Sequence, residues 1–297
     1  MQSKLWLLIR KEYLGDIRSR SFWITTFLTP LLIVGFGAFI GYLSSQSEFM
    51  HSSQPNSDYE MSAEQGVGMM SGIFLVIFIM MYGAMIFNKV KTEKTNRIVE
   101  VLVSSIPGRT IMISKVISVA LFGLTQMVVW AFLIAGLIFT IHLFMPVAFD
   151  LSIFFNPTAL KLLGIALLYF MGGFLFFGSL YAACGALTDK NNENQSYMTM
   201  VTMILMVSMY VAMFAIDNPF SGLTQICFYL PFTAPSVGAL LSIGQMAAWW
   251  ETVLGLTVLY GSSYLMLVLA GKIYTSAVML KGKKLTLRDI RTFLSAK

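Results

Sequence analysis

Several apolar runs of more than twenty residues pass without Asp, Glu, Lys or Arg, separated by short polar segments. About 20 apolar helical residues cross a bilayer, and the pattern predicts six spans, at about 22–43, 67–87, 112–143, 160–186, 197–216 and 250–270. The stretch from Val116 to Phe149 carries no charge and is long for one helix but short for two, so it reads as a single tilted or extended span ending near Leu143. Gly164, Gly172, Gly173 and Gly178 interrupt the fourth span, where small residues let helix backbones approach closely in lipid. Before the first span, residues 3–18 place Leu5, Leu8, Ile9, Tyr13 and Ile17 near one helical face, with Lys11 and Asp16 turned elsewhere. That pattern predicts an interfacial helix in the headgroup plane. Residues 218–245 are apolar but broken by Pro219, Pro231 and Pro235. Prolines inside lipid leave backbone groups unpaired unless protein or water satisfies them, so the segment reads as a re-entrant or outer helical hairpin that does not cross.

Charge tests this count. With the N-terminus inside, 19 of the 20 basic residues fall on the inside, and Lys161 is left outside. A single crossing by 218–245 would put the basic tail, Lys281 to Lys297, outside, against the positive-inside rule. The fold class expected is therefore an all-α polytopic membrane protein with six transmembrane helices, an interfacial N-terminal helix and a hairpin before span six. A composition of 57% hydrophobic and 11% charged residues agrees with it. The net charge of +6 comes from short clusters beside the spans, which fit anionic headgroups and not nucleic acid. The spread of basic residues before Phe22 and the length of the run after it predict a retained helix instead of a cleaved signal.

Candidate chemistry is sparse. Cys184 and Cys227 fall near opposite membrane faces in this layout, and His51 and His142 are isolated, so neither a disulfide nor a metal site is expected. No phosphate-binding Gly-x-x-x-x-Gly-Lys-Ser/Thr loop occurs, and any nucleotide chemistry must come from a partner. The span interiors hold neutral polar groups such as Thr125, Gln126, Thr202 and Ser208, where ion-coupled carriers keep carboxylates, lysines or histidines. Ser179 and Ser208 have no base nearby in the sequence to make an intramembrane hydrolase. The informative polar segment is 89–109. Glu93 and Arg97 are four apart and Arg97 and Glu100 three apart, while Ile98, Val101, Leu102 and Ser105 share another face. This predicts an amphipathic cytoplasmic helix stopped by Pro107-Gly108.

The segment KTEKTNRIVEVLVSSIPGRTIMISK, Lys91 to Lys115, resembles the connection between spans two and three of type-2 ABC exporter permeases, the sodium-efflux-type branch in particular. IRKEYLGDIRSRSFWITTFLTPLL, Ile9 to Leu32, is similar to that family's interfacial helix entering span one, and LPFTAPSVGALL, Leu230 to Leu241, to its outer hairpin. The resemblance implies one ABC-2 type transmembrane domain over 1–297 in a bacterial inner membrane, with both termini cytoplasmic. It implies a non-enzymatic exporter permease that pairs with a second permease copy or paralogue and with two cytosolic ABC ATPase subunits holding ATP and Mg. On this analogy Glu93, Arg97, Ile98, Glu100, Val101 and Leu102 form a coupling helix seated on the ATPase. Lys11, Glu12, Asp16 and Arg18 make a second contact, and spans two and five line the path between permeases. The short segment 44–65 departs from relatives that carry a large domain there, so the resemblance assigns no cargo. In span five Met203, Met206, Met209 and Met213 recur at steps of three or four. Adaptable methionines suit either an amphipathic, lipid-like cargo or ordinary packing. Two other readings remain: a membrane anchor or regulator of an ATPase without transport, and a lipid-modifying enzyme lacking a recognisable base.

Overall fold

In lipid each segment must pair its backbone N–H and C=O groups internally, and helix is the regular structure throughout the described residues. A computed structural model describes residues 2–20, 22–31, 63–95, 106–144, 157–188 and 195–279. Its helices are α1 (Gln2–Ile17), α2 (Phe22–Leu31), α3 (Ala63–Thr95), α4 (Gly108–Phe144), α5 (Pro157–Leu187), α6 (Gln195–Asp217), α7 (Gly222–Tyr229), α8 (Ala239–Ile243) and α9 (Trp249–Met279). A buried π-helical turn, Ala234–Gly238, leads into α8. Five helices, α3 to α6 and α9, are long and apolar enough to cross a membrane. The remainder of the expected first span beyond Leu31, segment 96–105 and the basic tail from 280 onward lie outside the described residues.

Helix lengths exceed the apolar runs. The 37 residues of α4 extend about 55 Å at 1.5 Å per residue, well beyond the roughly 30 Å of hydrocarbon, so its ends project from the lipid. The same holds for α3, which does not stop with the apolar residues near Phe87 but continues through Lys89 and Glu93 to Thr95. Glu93 is thus an extension of the second span and not part of a separate helix.

Side-chain contacts set the directions. Along α3 and α5, Ile79 lies by Gly173, Ile86 by Gly178 and Phe87 by Gly185, so these two helices run parallel. In α9, Gly255 meets Tyr169 and Ser263 donates to the Gly172 carbonyl, giving a third parallel member. The α4 helix runs the other way, with Phe122 on Tyr82 and Trp130 on Phe78. The α6 helix does too, with Thr202 beside Tyr181 and Ser208 beside Ser236. One end of the bundle therefore gathers the C-terminal ends of α3, α5 and α9 and the N-terminal ends of α4 and α6. Lipid is as apolar as leucine, so dispersion across close contacts must hold these helices together. The core is accordingly dense and aromatic, with Phe78, Tyr169, Phe170, Phe174, Phe177 and Tyr181 all buried. At Gly83 a Cβ would stand 2.2 Å from the Tyr181 ring, and only glycine permits that crossing.

The proline-broken segment folds at the opposite end. Ser221 caps α7 by accepting from the Thr224 N–H, and α7 and the 234–243 arm meet at a 105° bend. Pro235 at the bend packs on Gly173, which also lies against Ile79 near mid-bundle, while Gly244 returns to pack on Gly68. Backbone groups freed at the bend are recovered internally, the Leu230 carbonyl accepting from the Thr233 and Ala234 N–H groups, and the Ser236 hydroxyl joins the bend to α6 by donating to the Ser208 carbonyl. Tyr169, Ser242 and Thr252 continue this hydroxyl network into α9.

Gly83→Ala is expected to destabilise the protein by about 1–3 kcal/mol, the usual overpacking penalty, whereas Gly164→Ala, where a Cβ meets open space, leaves thermal stability in detergent unchanged.

Candidate functional site

Spacing of four on a helix brings side chains to one face, and two such pairs meet at the end of the bundle where α3 leaves the core. Glu12 and Asp16 share a face of α1, and Lys89 and Glu93 share a face of α3. Between them lies Lys115 of α4, only 1% exposed. Its ammonium is 2.7 Å from Glu12 Oε1 and also pairs with Glu93 Oε1. Lys89 pairs with Asp16 and approaches Glu12 Oε2 at 4.0 Å. Tyr13 adds a neutral anchor, its hydroxyl 2.7 Å from that of Thr125. The cluster therefore ties α1 to the two helices that flank segment 96–105.

Desolvating an ammonium costs several kcal/mol unless paired carboxylates compensate it, so Lys115 makes α1, α3 and α4 mutually dependent. Asp16 is different in kind: burial pushes its carboxyl above the usual range, and the Lys89 hydrogen bond and charge offset only part of that. With a raised folded pKa, its contribution to stability is full in acid and fades as pH rises through that value.

The sequence-predicted contact residues divide here. Lys11 and Arg18 are exposed, but Asp16, expected to turn away from the apolar face, is drawn inward with Glu12. Glu93 is held by Lys115, across helices. Arg97, Ile98, Glu100, Val101 and Leu102 lie outside the described residues. Sequence reasoning missed Lys115, although its place inside an apolar run, with acid pairs at 12/16 and a base–acid pair at 89/93, was a usable signal.

A second feature lies on α6. A groove of about 750 Å³ opens between this helix and the bend of the hairpin. Met200, Met203, Ile204 and Val207 line one wall and Leu230 and Phe232 the other, with the hydroxyls of Ser196, Thr199 and Thr233 along it. Of the predicted methionine path, Met203 lines this groove. Met206 and Met213 are exposed elsewhere on the helix, and Met209 is half-buried against the main core.

Residues 46–272 match the family described as ABC-2 family transporter protein, and the chain belongs to that family. It is a multi-pass membrane protein of the kind that forms the membrane component of ABC transporters. It is 25% identical over 236 residues to the "uncharacterized protein YhaP" of Bacillus subtilis, covering 77% of this chain and 56% of that one. It is also 25% identical over 205 residues to the "uncharacterized protein MJ1024" of Methanocaldococcus jannaschii, covering 69% and 48%. The chain thus spans about half the length of these relatives. No solved structure matches it.

Glu12→Gln, which strips one carboxylate from buried Lys115, is expected to cost about 3 kcal/mol of stability, while Asp16→Asn costs under about 1 kcal/mol at neutral pH. Replacing the triad together, Glu12→Leu with Glu93→Leu and Lys115→Met, recovers most of the loss, because an apolar core needs no counter-charge. Thermal unfolding of the three variants in detergent checks the order.

Proposed function

We propose that this chain is the permease of an ATP-driven exporter in a bacterial inner membrane, taking its energy from ABC ATPase subunits that bind ATP and Mg. The observation that carries the reading is the Glu12–Lys115–Glu93 cluster. It fastens α1 to both helices bordering segment 96–105, which holds all but the first of the residues, Glu93 to Leu102, that the family resemblance makes the coupling helix. In this reading the charged end of the bundle is cytoplasmic, in keeping with the positive-inside rule, and the hairpin sits at the outer face. Movement of the ATPase pair displaces 96–105, and the ion pairs carry that displacement to α1, α3 and α4 as one rigid body. Exposed Lys11 and Arg18 supply a second contact, while Glu12 and Asp16 act within the permease. A second permease copy faces α6, and the methionine-lined groove gives an amphipathic cargo an adaptable apolar wall.

Affinity purification of the tagged protein from native membranes is expected to retain an ATP-binding subunit. Arg97→Glu combined with Glu100→Lys sharply reduces that retention without lowering thermal stability. Full retention by this variant removes the coupling role of the segment. Retention with no transport of any cargo by the reconstituted complex favours an anchoring subunit instead.

A further inference from the structure

Four polar side chains buried among α2, α3 and α4 carry atoms with no hydrogen-bond partner. Thr26 Oγ1, the Tyr82 hydroxyl, Gln126 Nε2 and Trp130 Nε1 are all orphaned, and the most exposed of these residues, Trp130, is only 4% exposed. Their packing gathers them at one depth. Glu12 meets Lys115 and Phe22 meets Phe122, so the chain through α1 and α2 climbs along α4 in the same direction. Thr26 and Gln126, each one turn beyond that phenylalanine pair, therefore stand level with one another. Tyr82 packs on Phe122, and Trp130, one turn past Gln126, packs on Phe78, which also touches Tyr82. Proline adds an acceptor to the set: Pro30, four residues after Thr26, has no N–H to give the Thr26 carbonyl, which loses its intrahelical donor.

Neighbouring polar groups are engaged elsewhere. Thr25 donates to the Phe22 carbonyl, Thr125 is bonded to Tyr13 and to the Leu121 carbonyl, and Ser118 donates to the Lys115 carbonyl. Lys89 of α3 and Lys115 of α4 are held in ion pairs at the charged end. From Lys115 to Gln126 is roughly three turns of α4, about 16 Å at 1.5 Å per residue, so nothing at this depth compensates an ion. An indole N–H only donates, a carboxamide nitrogen donates twice, and hydroxyls do both. This donor-rich set calls for a small neutral group that accepts hydrogen bonds and can return one to the Thr26 carbonyl. Water has that chemistry, and buried water characteristically bridges about three polar groups that the protein leaves unsatisfied.

We propose that Thr26, Tyr82, Gln126 and Trp130 form a water-binding site inside the bundle, where bound water bridges α2 to α3 and α4. Water-mediated bonds re-form at altered spacing, unlike the ion pairs at the charged end. Helix α2 is thereby free to shift against α4 while α1 stays fastened. The site is neutral and needs neither an ATPase nor a cargo.

X-ray radiolysis of the full chain in lipid nanodiscs tests this with water itself as the probe, because hydroxyl radicals form from bound water where it sits. Tyr82 and Trp130 are expected to gain oxygen several-fold faster than Tyr181, Phe170 and Phe174, which are equally buried but have no orphaned polar atom. Thr26→Val combined with Gln126→Leu is expected to bring both rates down to those of the three references. Rates already equal in the unmutated protein, as a dry site or one filled by a lipid carbonyl gives, overturn the proposal, and so do fast rates that survive the double substitution. Thermal unfolding supplies a second reading. Removing a polar group bonded to water strands its companions, whereas removing a dry one relieves a penalty. Thr26→Val alone is therefore expected to lower the unfolding midpoint, and a raised midpoint overturns the site.

Discussion

A lysine that is almost wholly shielded from water can exist in a folded protein only where carboxylates surround it, and Lys115 imposes that condition on three helices at once. The partners come from sequence positions 12 and 93, 103 and 22 residues before it, so neither helix can leave without exposing a charge to an apolar setting. Through the middle of the bundle the packing is mainly dispersion between apolar surfaces, which tolerates small shifts. The ion pairs do not, because their strength falls off with separation and their geometry admits few arrangements. Rigidity is therefore concentrated at one end of the bundle, next to the segment expected to meet an ATPase.

The other end solves a different problem. A chain that turns back within apolar surroundings frees backbone groups, and the protein answers with hydroxyls: Ser208 with Ser236, Tyr169 with Ser242, and Ser242 with Thr252. Close approach is obtained by omission, since Gly173 leaves room for Pro235 and Gly68 for Gly244. The two ends thus differ chemically, one charged and one built from neutral hydroxyls. The apolar groove on α6 lies against the hairpin, where no ion pair among the described residues constrains its walls.

Much of this site was legible before any coordinates. The amphipathic N-terminal segment and the methionine spacing in α6 both follow from helical periodicity, whereas the stretch through Lys89 and Glu93, which reads in the sequence as a separate helix, continues the second span. The pairing was not legible. Periodicity says which residues share a face of one helix, whereas the pairing of Glu93 with Lys115 depends on how α3 crosses α4. For the same reason Asp16 was turned from the apolar face on the helical wheel, although α1 meets a polar face of its neighbours there.

Length, hydropathy and the distribution of lysine and arginine by themselves determined a helical, multiply crossing chain, because lipid admits few backbone solutions and each leaves a long apolar run. They also marked the proline-broken segment as irregular, since proline removes a donor wherever it stands. Which helices run parallel, where the broken segment turns, and which charge neutralises which were decided only in the tertiary structure. Those outcomes depend on the crossing geometry of helices from distant parts of the chain, and a glycine or a lysine acquires its role from what stands opposite it.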